Sequence, residues 1–331
     1  LLIVTDAWLP QINGVVRTLD TLRQGLEDRG HQVRLVTPDL FRTIPCPTYP
    51  EIRLALFPGR RVAAMIEDFR PQAIHIATEG PLGVAARAHC LRKGYPFTTA
   101  YHTRFPEYVH ARLPLPLSWL YAVMKWFHGP SSAIMVATQT IEDDLKSRGF
   151  RPPVRRWSRG VWTDLFKPRD KAFLDAPRPI SLFTGRVAVE KNIEAFLKLD
   201  LPGTKYVVGD GPQLDDLKRK YPAVRFAGVK EGEELAKYFA AADVFVFPSR
   251  TDTFGLVLLE AMASGVPVAA YPVPGPLDVV NQSGAGVLSN DLAAAVKAAL
   301  AIPAEACRNH ALKYSWDASF DQFEGNLHVF R

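Results

Sequence analysis

Residues 1–36, LLIVTDAWLPQINGVVRTLDTLRQGLEDRGHQVRLV, decide how the first half of the chain is read. A short apolar run (1–5) leads into a loop with Pro10 and Gly14. A helical pattern then runs from Val15 to a stop at Gly30, and a second run (31–36) follows at once. Neighbouring parallel strands need a crossover of a dozen or more residues, usually a helix, so this order predicts a βαβ unit. Further strands are expected at 73–76, 97–100 and 133–137, with helical stretches between them. The first half therefore reads as a doubly wound parallel sheet.

The pattern restarts after a Pro- and Arg-rich stretch at 151–178. New strands are expected at 180–183, 205–208, 224–226, 244–247, 267–270 and 286–288, again alternating with helices. The expected organisation is an α/β domain at 1–155, a linker at 156–178 and a second α/β domain at 179–314. A last helix at 315–331 carries Trp316, Phe320 and Phe323 on one stripe and is expected to cross back to the first domain. Ligands of open parallel sheets gather beyond the carboxyl ends of the strands, so two such domains face to face would enclose a cleft.

The composition suits two ordinary cores: 331 residues, 47% hydrophobic and 22% charged. The net charge of +6 is uneven, with 21 Lys+Arg against 13 Asp+Glu in 1–160 and 19 against 21 in 161–331. A basic half without any nucleic-acid motif points to a phosphorylated ligand or an anionic membrane, or to a merely solvated surface. No apolar run of about twenty residues and no basic-then-apolar leader is visible, so a cytoplasmic protein is expected, peripheral on the inner face of a membrane. Cys46, Cys90 and Cys307 are scattered and lack metal spacing. One segment, RLPLPLSWLYAVMKWFHGP (112–130), reads either as an ordinary buried helix or as an interfacial helix that dips Trp119, Trp126 and Phe127 into lipid.

The chemistry concentrates in RTDTFGLVLLEAMASGVPVAA (250–270). A strand ending in Pro248 and Ser249 leads through a polar loop to Gly255, where a strongly helix-forming run begins. Free amides there suit an anion. Asp252 precedes that helix and Glu260 lies more than a turn inside it, placed to touch opposite ends of one elongated ligand. FTGRVAVEKN (183–192) sets Arg186 and Lys191 about a turn, a fork and a point charge for a diphosphate or simply two solvated cations. VVGDGP (207–212) places Gly209 and Asp210 after another strand, where the backbone turns sharply or meets a ligand.

Together these elements resemble glycosyltransferase family 4, the retaining sugar-nucleotide-dependent enzymes with two Rossmann-like domains called GT-B. The resemblance covers nearly the whole chain, and its most specific part is the Asp252/Glu260 pair. It implies that Glu260 binds the ribose, that Asp252 contacts the transferred sugar, and that Thr253, Phe254, Gly255 and Leu256 lie near sugar and phosphates. Asp252 departs from the family's commoner glutamate by one methylene, which leaves the donor sugar open. PQINGVVRTL (10–19) resembles the family's first loop and would set Gly14 against the phosphates. AYHTRFPEY (100–108) resembles its donor and acceptor region, with His102 on the sugar and Thr103, Arg104 and Tyr108 on the acceptor side. Glu79, in ATEGPLG (77–83), is a further acceptor-side candidate, and Val229 and Lys230 fall in the expected base-binding loop. The motifs look most like the branch of sulfolipid synthases and lipid mannosyltransferases, which implies a UDP- or GDP-sugar donor and a lipid acceptor such as diacylglycerol.

Retention is implied by the family alone. Double displacement through a carboxylate and same-face attack are both open. The second is preferred, because Arg186, Lys191 and helix amides would stabilise the departing diphosphate. Fixed cations do the neutralising and no Asp-x-Asp pair or His/Cys cluster is visible, so no metal or other cofactor is expected. An epimerase can share the two-domain plan, a silent sugar-nucleotide binder would keep the same site, and an exported ligand receptor lacks a visible signal. A nicotinamide dehydrogenase would need Gly-x-Gly-x-x-Gly after the first strand, which DAWLPQING (6–14) lacks.

Overall fold

The structure, a computed structural model, describes every residue except Ile12, Pro47, Thr48, Ala111, Arg112 and Pro114, and only the backbone of residues 49–51. The chain divides into two compact units, one of Leu1–Ser158 with Asp317–Arg331, the other of Arg159–Trp316. In the first unit the strands are β1 (Leu2–Val4), β2 (Arg34–Val36), β3 (Thr43–Cys46), β4 (Tyr49–Ala55), β5 (Ile74–Ile76), β6 (Thr98–Ala100), β7 (Ala133–Val136) and β8 (Val154–Arg156). Six form a parallel sheet in the order β2-β1-β5-β6-β7-β8. The central strands β1, β5, β6 and β7 are buried at every position. Helices cover both faces of such a sheet, so its strands are buried on both sides rather than alternately; β1 and β7 are wholly apolar, while His75 of β5 lies 2.9 Å by Nδ1 from the Thr98 hydroxyl of β6.

Helix Gly14–Asp28 begins where the Asn13 side chain accepts from the amides of Val15 and Val16, and the chain leaves it through Gly30 at φ 88°. The C-terminal helix Trp316–Asn326 packs on this unit through Phe320 and Phe323. Gly25 makes that contact possible: a Cβ there would lie 2.1 Å from the Phe320 ring. Arg29 stacks over the same ring and pairs with Asp321 at 2.7 Å. Phe323 closes a buried aromatic group with His75 and Trp157, whose indole N–H donates to the Ser319 hydroxyl.

In the second unit β9 (Ile180–Thr184), β10 (Thr204–Val208), β11 (Arg225–Gly228), β12 (Val244–Phe247), β13 (Val268–Ala270) and β14 (Gly286–Leu288) form a parallel sheet ordered β11-β10-β9-β12-β13-β14. Its core joins Phe183, Phe196, Val207, Val244 and Val246 to Leu292 and Val296 of helix Leu292–Ala299. Each such side chain, fully buried, contributes about 1.5–3 kcal/mol.

Two elements depart from the expectation. The β3–β4 hairpin is antiparallel and forms its own two-stranded sheet. Its sequence holds Pro45, Pro47 and Pro50, and prolines argue against a strand wherever both backbone edges must pair. A hairpin outside the main sheet escapes that demand, and Arg53 fastens it by donating to the Thr43 hydroxyl and carbonyl. Strand β8 lies inside the Pro- and Arg-rich stretch and ends at Arg156, the first residue of the expected linker. As an edge strand it pairs on one side only, so Arg155 stays exposed without cost.

Candidate active site

The strand order of the second sheet reverses between β9 and β12, the place where open parallel sheets bind ligands. The loops leaving β9, β10 and β12 are fastened together there. Gly185, after β9, and Gly209, after β10, adopt φ of 140° and 139°. A Cβ on Gly209 would lie 1.9 Å from the Gly185 carbonyl oxygen, so the two loops touch backbone to backbone. The Val187 amide donates to the Asp210 carbonyl at 2.8 Å, and the Gln213 amide donates to the Val187 carbonyl at 3.0 Å. The Gly-Asp-Gly turn thus docks on the loop that carries Arg186.

That loop passes through a short 3-10 turn, Val189–Lys191, and then Asn192 in the left-handed region at φ 52°. Asn tolerates this conformation better than most residues. Its side-chain amide donates to the Pro248 carbonyl at 3.0 Å, tying the β9 loop to the β12 loop. Across the same seam Lys191 Nζ meets Asp252 Oδ1 at 2.5 Å. Oδ2 of Asp252 is buried and has no hydrogen-bond partner among the described residues. Arg186 lies 3.7 Å from Glu190.

Helix Leu256–Ala263 starts from Gly255 at φ 83°, a position only glycine adopts at little strain, with neither a capping side chain nor an acid in its first turn. Its N-terminal end therefore offers backbone donors and a partial positive charge. Gly275 supports the preceding turn, since a Cβ there would lie 3.0 Å from the Phe254 carbonyl and 3.2 Å from that of Asp252. Glu260 is one turn inside the helix and only 3% exposed. Val229 and Lys230 follow β11, two strands from β9; Val229 is exposed and Lys230 pairs with Glu234 at 2.7 Å.

The first sheet reverses between β1 and β5. Asp6, just after β1, accepts from the amides of Leu82 and Gly83 and from the Thr78 hydroxyl, and so caps helix Pro81–Lys93. Burial pushes its pKa up to about 6, against the pull of those two amides. Glu79 lies next in the loop after β5, with Oε1 3.3 Å from Nε2 of the buried His128. His102 follows β6 and meets the Trp157 ring edge-on at 5.5 Å between centroids. Arg104 pairs with Glu107 at 2.7 Å, and the Tyr121 hydroxyl donates to the same carboxylate oxygen. Burial and the Glu107 carboxylate push the Tyr121 hydroxyl up to about 12. Thr103 and Tyr108 flank this group, while Gly14 opens helix Gly14–Asp28 with its amide end already served by Asn13.

In the Trp-rich segment, helix Leu117–His128 divides by face. Trp119 and Trp126 are 68% and 53% exposed, with exposed Val123 between them on the same side. Phe127 is 1% exposed and packs in the core with Phe97 and Leu82, so for this residue the buried-helix reading holds and the lipid reading does not. One face of the helix is needed to close the sheet, so the segment is both core and surface. Arg87 holds its C-terminal end by donating to the carbonyls of Trp126 and Phe127. Arg112 and Pro114 of this segment, and Ile12 of the first loop, lie outside the described residues. Among the described residues no helix is long and apolar enough to cross a membrane.

The residues that sequence reasoning passed over are Asp6, Asn13, Glu107, Tyr121, His128, Gly185 and Asn192. Asn192 had a usable signal, an Asn directly before a helical run. A carboxylate at the end of the first strand was the signal for Asp6.

Residues 12–165 match the model of Glycosyltransferase Family 4, and residues 178–302 match that of Glycosyl transferases group 1. The chain is 30% identical to the sulfoquinovosyl transferase SQD2 of Arabidopsis thaliana over 80% of its own length and 55% of that protein, so it spans about half of that relative. It is 30% identical to a GDP-mannose-dependent alpha-mannosyltransferase of Mycolicibacterium smegmatis, covering 86% of this chain and 83% of that protein. It is 26% identical to the alpha-monoglucosyldiacylglycerol synthase of Streptococcus pneumoniae, covering 98% and 84%. Among solved structures, sucrose-phosphate synthase from Thermosynechococcus elongatus superposes with a TM-score of 0.79 at 23% identity over 98% of this chain and 97% of that one, a likeness of fold. Likeness across both parallel-sheet units, on a backbone that superposes with a GT-B enzyme from end to end, places the chain in glycosyltransferase family 4 as a glycosyltransferase of the GT-B fold.

Proposed function

We propose that the chain is a retaining, metal-independent hexosyltransferase that moves a sugar from a UDP- or GDP-sugar to a hydroxyl of a membrane lipid of the diacylglycerol class, working peripherally on the cytoplasmic face of an anionic membrane. The observation that carries the chemistry is the Lys191–Asp252 contact, next to Arg186 and an uncapped helix N-terminus at the switch point of the second sheet. A diphosphate bound there meets an ammonium, a guanidinium and backbone N–H donors, all held before the reaction begins. Asp252 Oδ1 holds Lys191, and Oδ2 is left to accept from a sugar hydroxyl.

In this reading the bond from the anomeric carbon to the leaving phosphate oxygen breaks with its electron pair going to the diphosphate. The acceptor oxygen bonds to the same face of that carbon, and the acceptor's proton passes to the departing phosphate oxygen. Glu260 holds the ribose, and fixed cations take the role a metal would otherwise fill. Support for a lipid comes from the exposed stripe Trp119, Val123 and Trp126 on a basic half of the chain, and from a relative whose name states diacylglycerol.

The test is transfer from labelled UDP-glucose, UDP-glucuronate, UDP-galactose and GDP-mannose to diacylglycerol in phosphatidylglycerol liposomes, with and without EDTA. A labelled glycolipid from one donor, unaffected by EDTA, is the expected result. Slow donor hydrolysis without a lipid product would discard the lipid acceptor, and inactivation by EDTA would discard metal independence.

A further inference from the structure

His128 ends helix Leu117–His128 and is fully buried. Its Nδ1 lies 2.9 Å from the Thr99 hydroxyl on β6, and its Nε2 lies 3.3 Å from Glu79 Oε1. The pair is in ion-pair range but out of line for a hydrogen bond, and neither Nε2 nor that carboxylate oxygen has a hydrogen-bond partner among the described residues. The rest of the ring faces Phe127, Tyr101 and Phe150, with centroids 5.0, 6.0 and 6.2 Å away. A buried polar nitrogen with nothing to bind costs about 1–3 kcal/mol, and the carboxylate 3.3 Å away offsets part of that cost for this imidazole.

Glu79 is not itself a core residue. Its side chain is 24% exposed although Oε1 is buried, which leaves the exposure to Oε2 and the methylenes. It stands in the loop after β5, at the edge where the first sheet reverses and next to the β6 loop that carries His102. The imidazole is tethered on one side by Thr99, which keeps Nε2 within ion-pair range of Oε1. One oxygen of the carboxylate is thereby held and the other is presented.

We propose that His128 is a positioning residue for acceptor binding: it holds Glu79 by Oε1 so that Oε2 accepts a hydrogen bond from the acceptor hydroxyl as the acceptor binds, before that proton passes to the departing phosphate oxygen. The acceptor half of this inference rests on the transferase reading above. The test is a double-mutant cycle on diacylglycerol in phosphatidylglycerol liposomes. Glu79→Gln and His128→Asn each raise the acceptor KM about tenfold, the loss of one charge-assisted hydrogen bond, and leave kcat within about twofold. Acceptor-free hydrolysis of the labelled donor stays at the wild-type rate in both, and the double variant is no worse than either single one.

Effects that multiply, to about a hundredfold in the double variant, or loss of donor hydrolysis in His128→Asn, would overturn the inference and leave His128 as support for the fold alone. If His128→Asn does not fold, Thr99→Val runs the same cycle, since it keeps the imidazole and removes its tether. The imidazole nitrogen shifts of His128, compared between wild type and Glu79→Gln, read the clamp without any acceptor, and unchanged shifts refute it. If the wild-type protein glycosylates no lipid, the acceptor role of Glu79 falls with the proposed function, while the nitrogen shifts still decide the clamp.

Discussion

Replacing Lys191 by alanine separates two jobs that its position allows. The ammonium neutralises Asp252, its partner at 2.5 Å, and in the proposed reaction it also receives the leaving diphosphate. The first job is worth little to the fold: both side chains are about one-fifth exposed, so a charge-assisted bond of about 1.5–3 kcal/mol is screened to roughly 1 kcal/mol. The second job is worth more, because a preorganised donor at the site of developing charge supplies about 2.7–4 kcal/mol, or a hundredfold to a thousandfold in rate. Lys191→Ala should therefore fold with a urea midpoint close to wild type and lose kcat by about two to three orders of magnitude, read as labelled product formed at saturating donor. The decisive comparison is Lys191→Ala in an Asp252→Asn background. If Lys191 only neutralised the carboxylate, removing the charge would make the lysine dispensable and the double variant would match Asp252→Asn. Such a match would refute the diphosphate assignment; a further hundredfold loss is the expected result.

Gly209→Ala places a Cβ 1.9 Å from a backbone oxygen at φ 139°, so the loop pair must separate; a loss of about 3 kcal/mol or more in urea unfolding is expected, with donor affinity falling alongside it. Asp6 is held at a pKa of about 6 in the folded state against 3.8 when free, so the fold binds its proton more tightly than the unfolded chain does. Stability should thus fall as pH rises from about 4 to 6, by about 3 kcal/mol at most, and Asp6→Asn should flatten that slope in urea titrations at each pH. Trp119→Ala and Trp126→Ala should each weaken binding to phosphatidylglycerol vesicles about tenfold or more in cosedimentation, at unchanged stability; tight binding by the double variant would remove the helix from the membrane surface.

The parallel sheets were legible because their buried strands are short apolar runs between helices, as at 180–183 and 244–247. The turns after β9 and β10 were legible too, because a glycine after a strand marks a sharp turn or a close backbone approach, and Gly185 and Gly209 make both. Pairings across loops were not, and the Lys191–Asp252 contact spans 61 positions. Hydrophobic periodicity reports which face of an element is buried, and it carries no distance between two loops. The residues passed over share a further property: most of them act on backbone. Asp6 accepts from the amides of Leu82 and Gly83, Asn192 donates to the Pro248 carbonyl, Asn13 caps the amides of Val15 and Val16, and Gly185 presents its own carbonyl to Gly209. A side chain bound to another side chain leaves two residue types to notice, whereas one bound to backbone leaves a single polar residue in a loop, where polar residues are ordinary. The two loops that carry Lys191 and Asp252 are tied by such bonds, from the Asn192 amide to the Pro248 carbonyl and from the Thr251 hydroxyl to the Glu190 carbonyl. The geometry of the donor site thus depends on side chains whose partners are backbone carbonyls 56 and 61 positions away, a distance no local pattern reports.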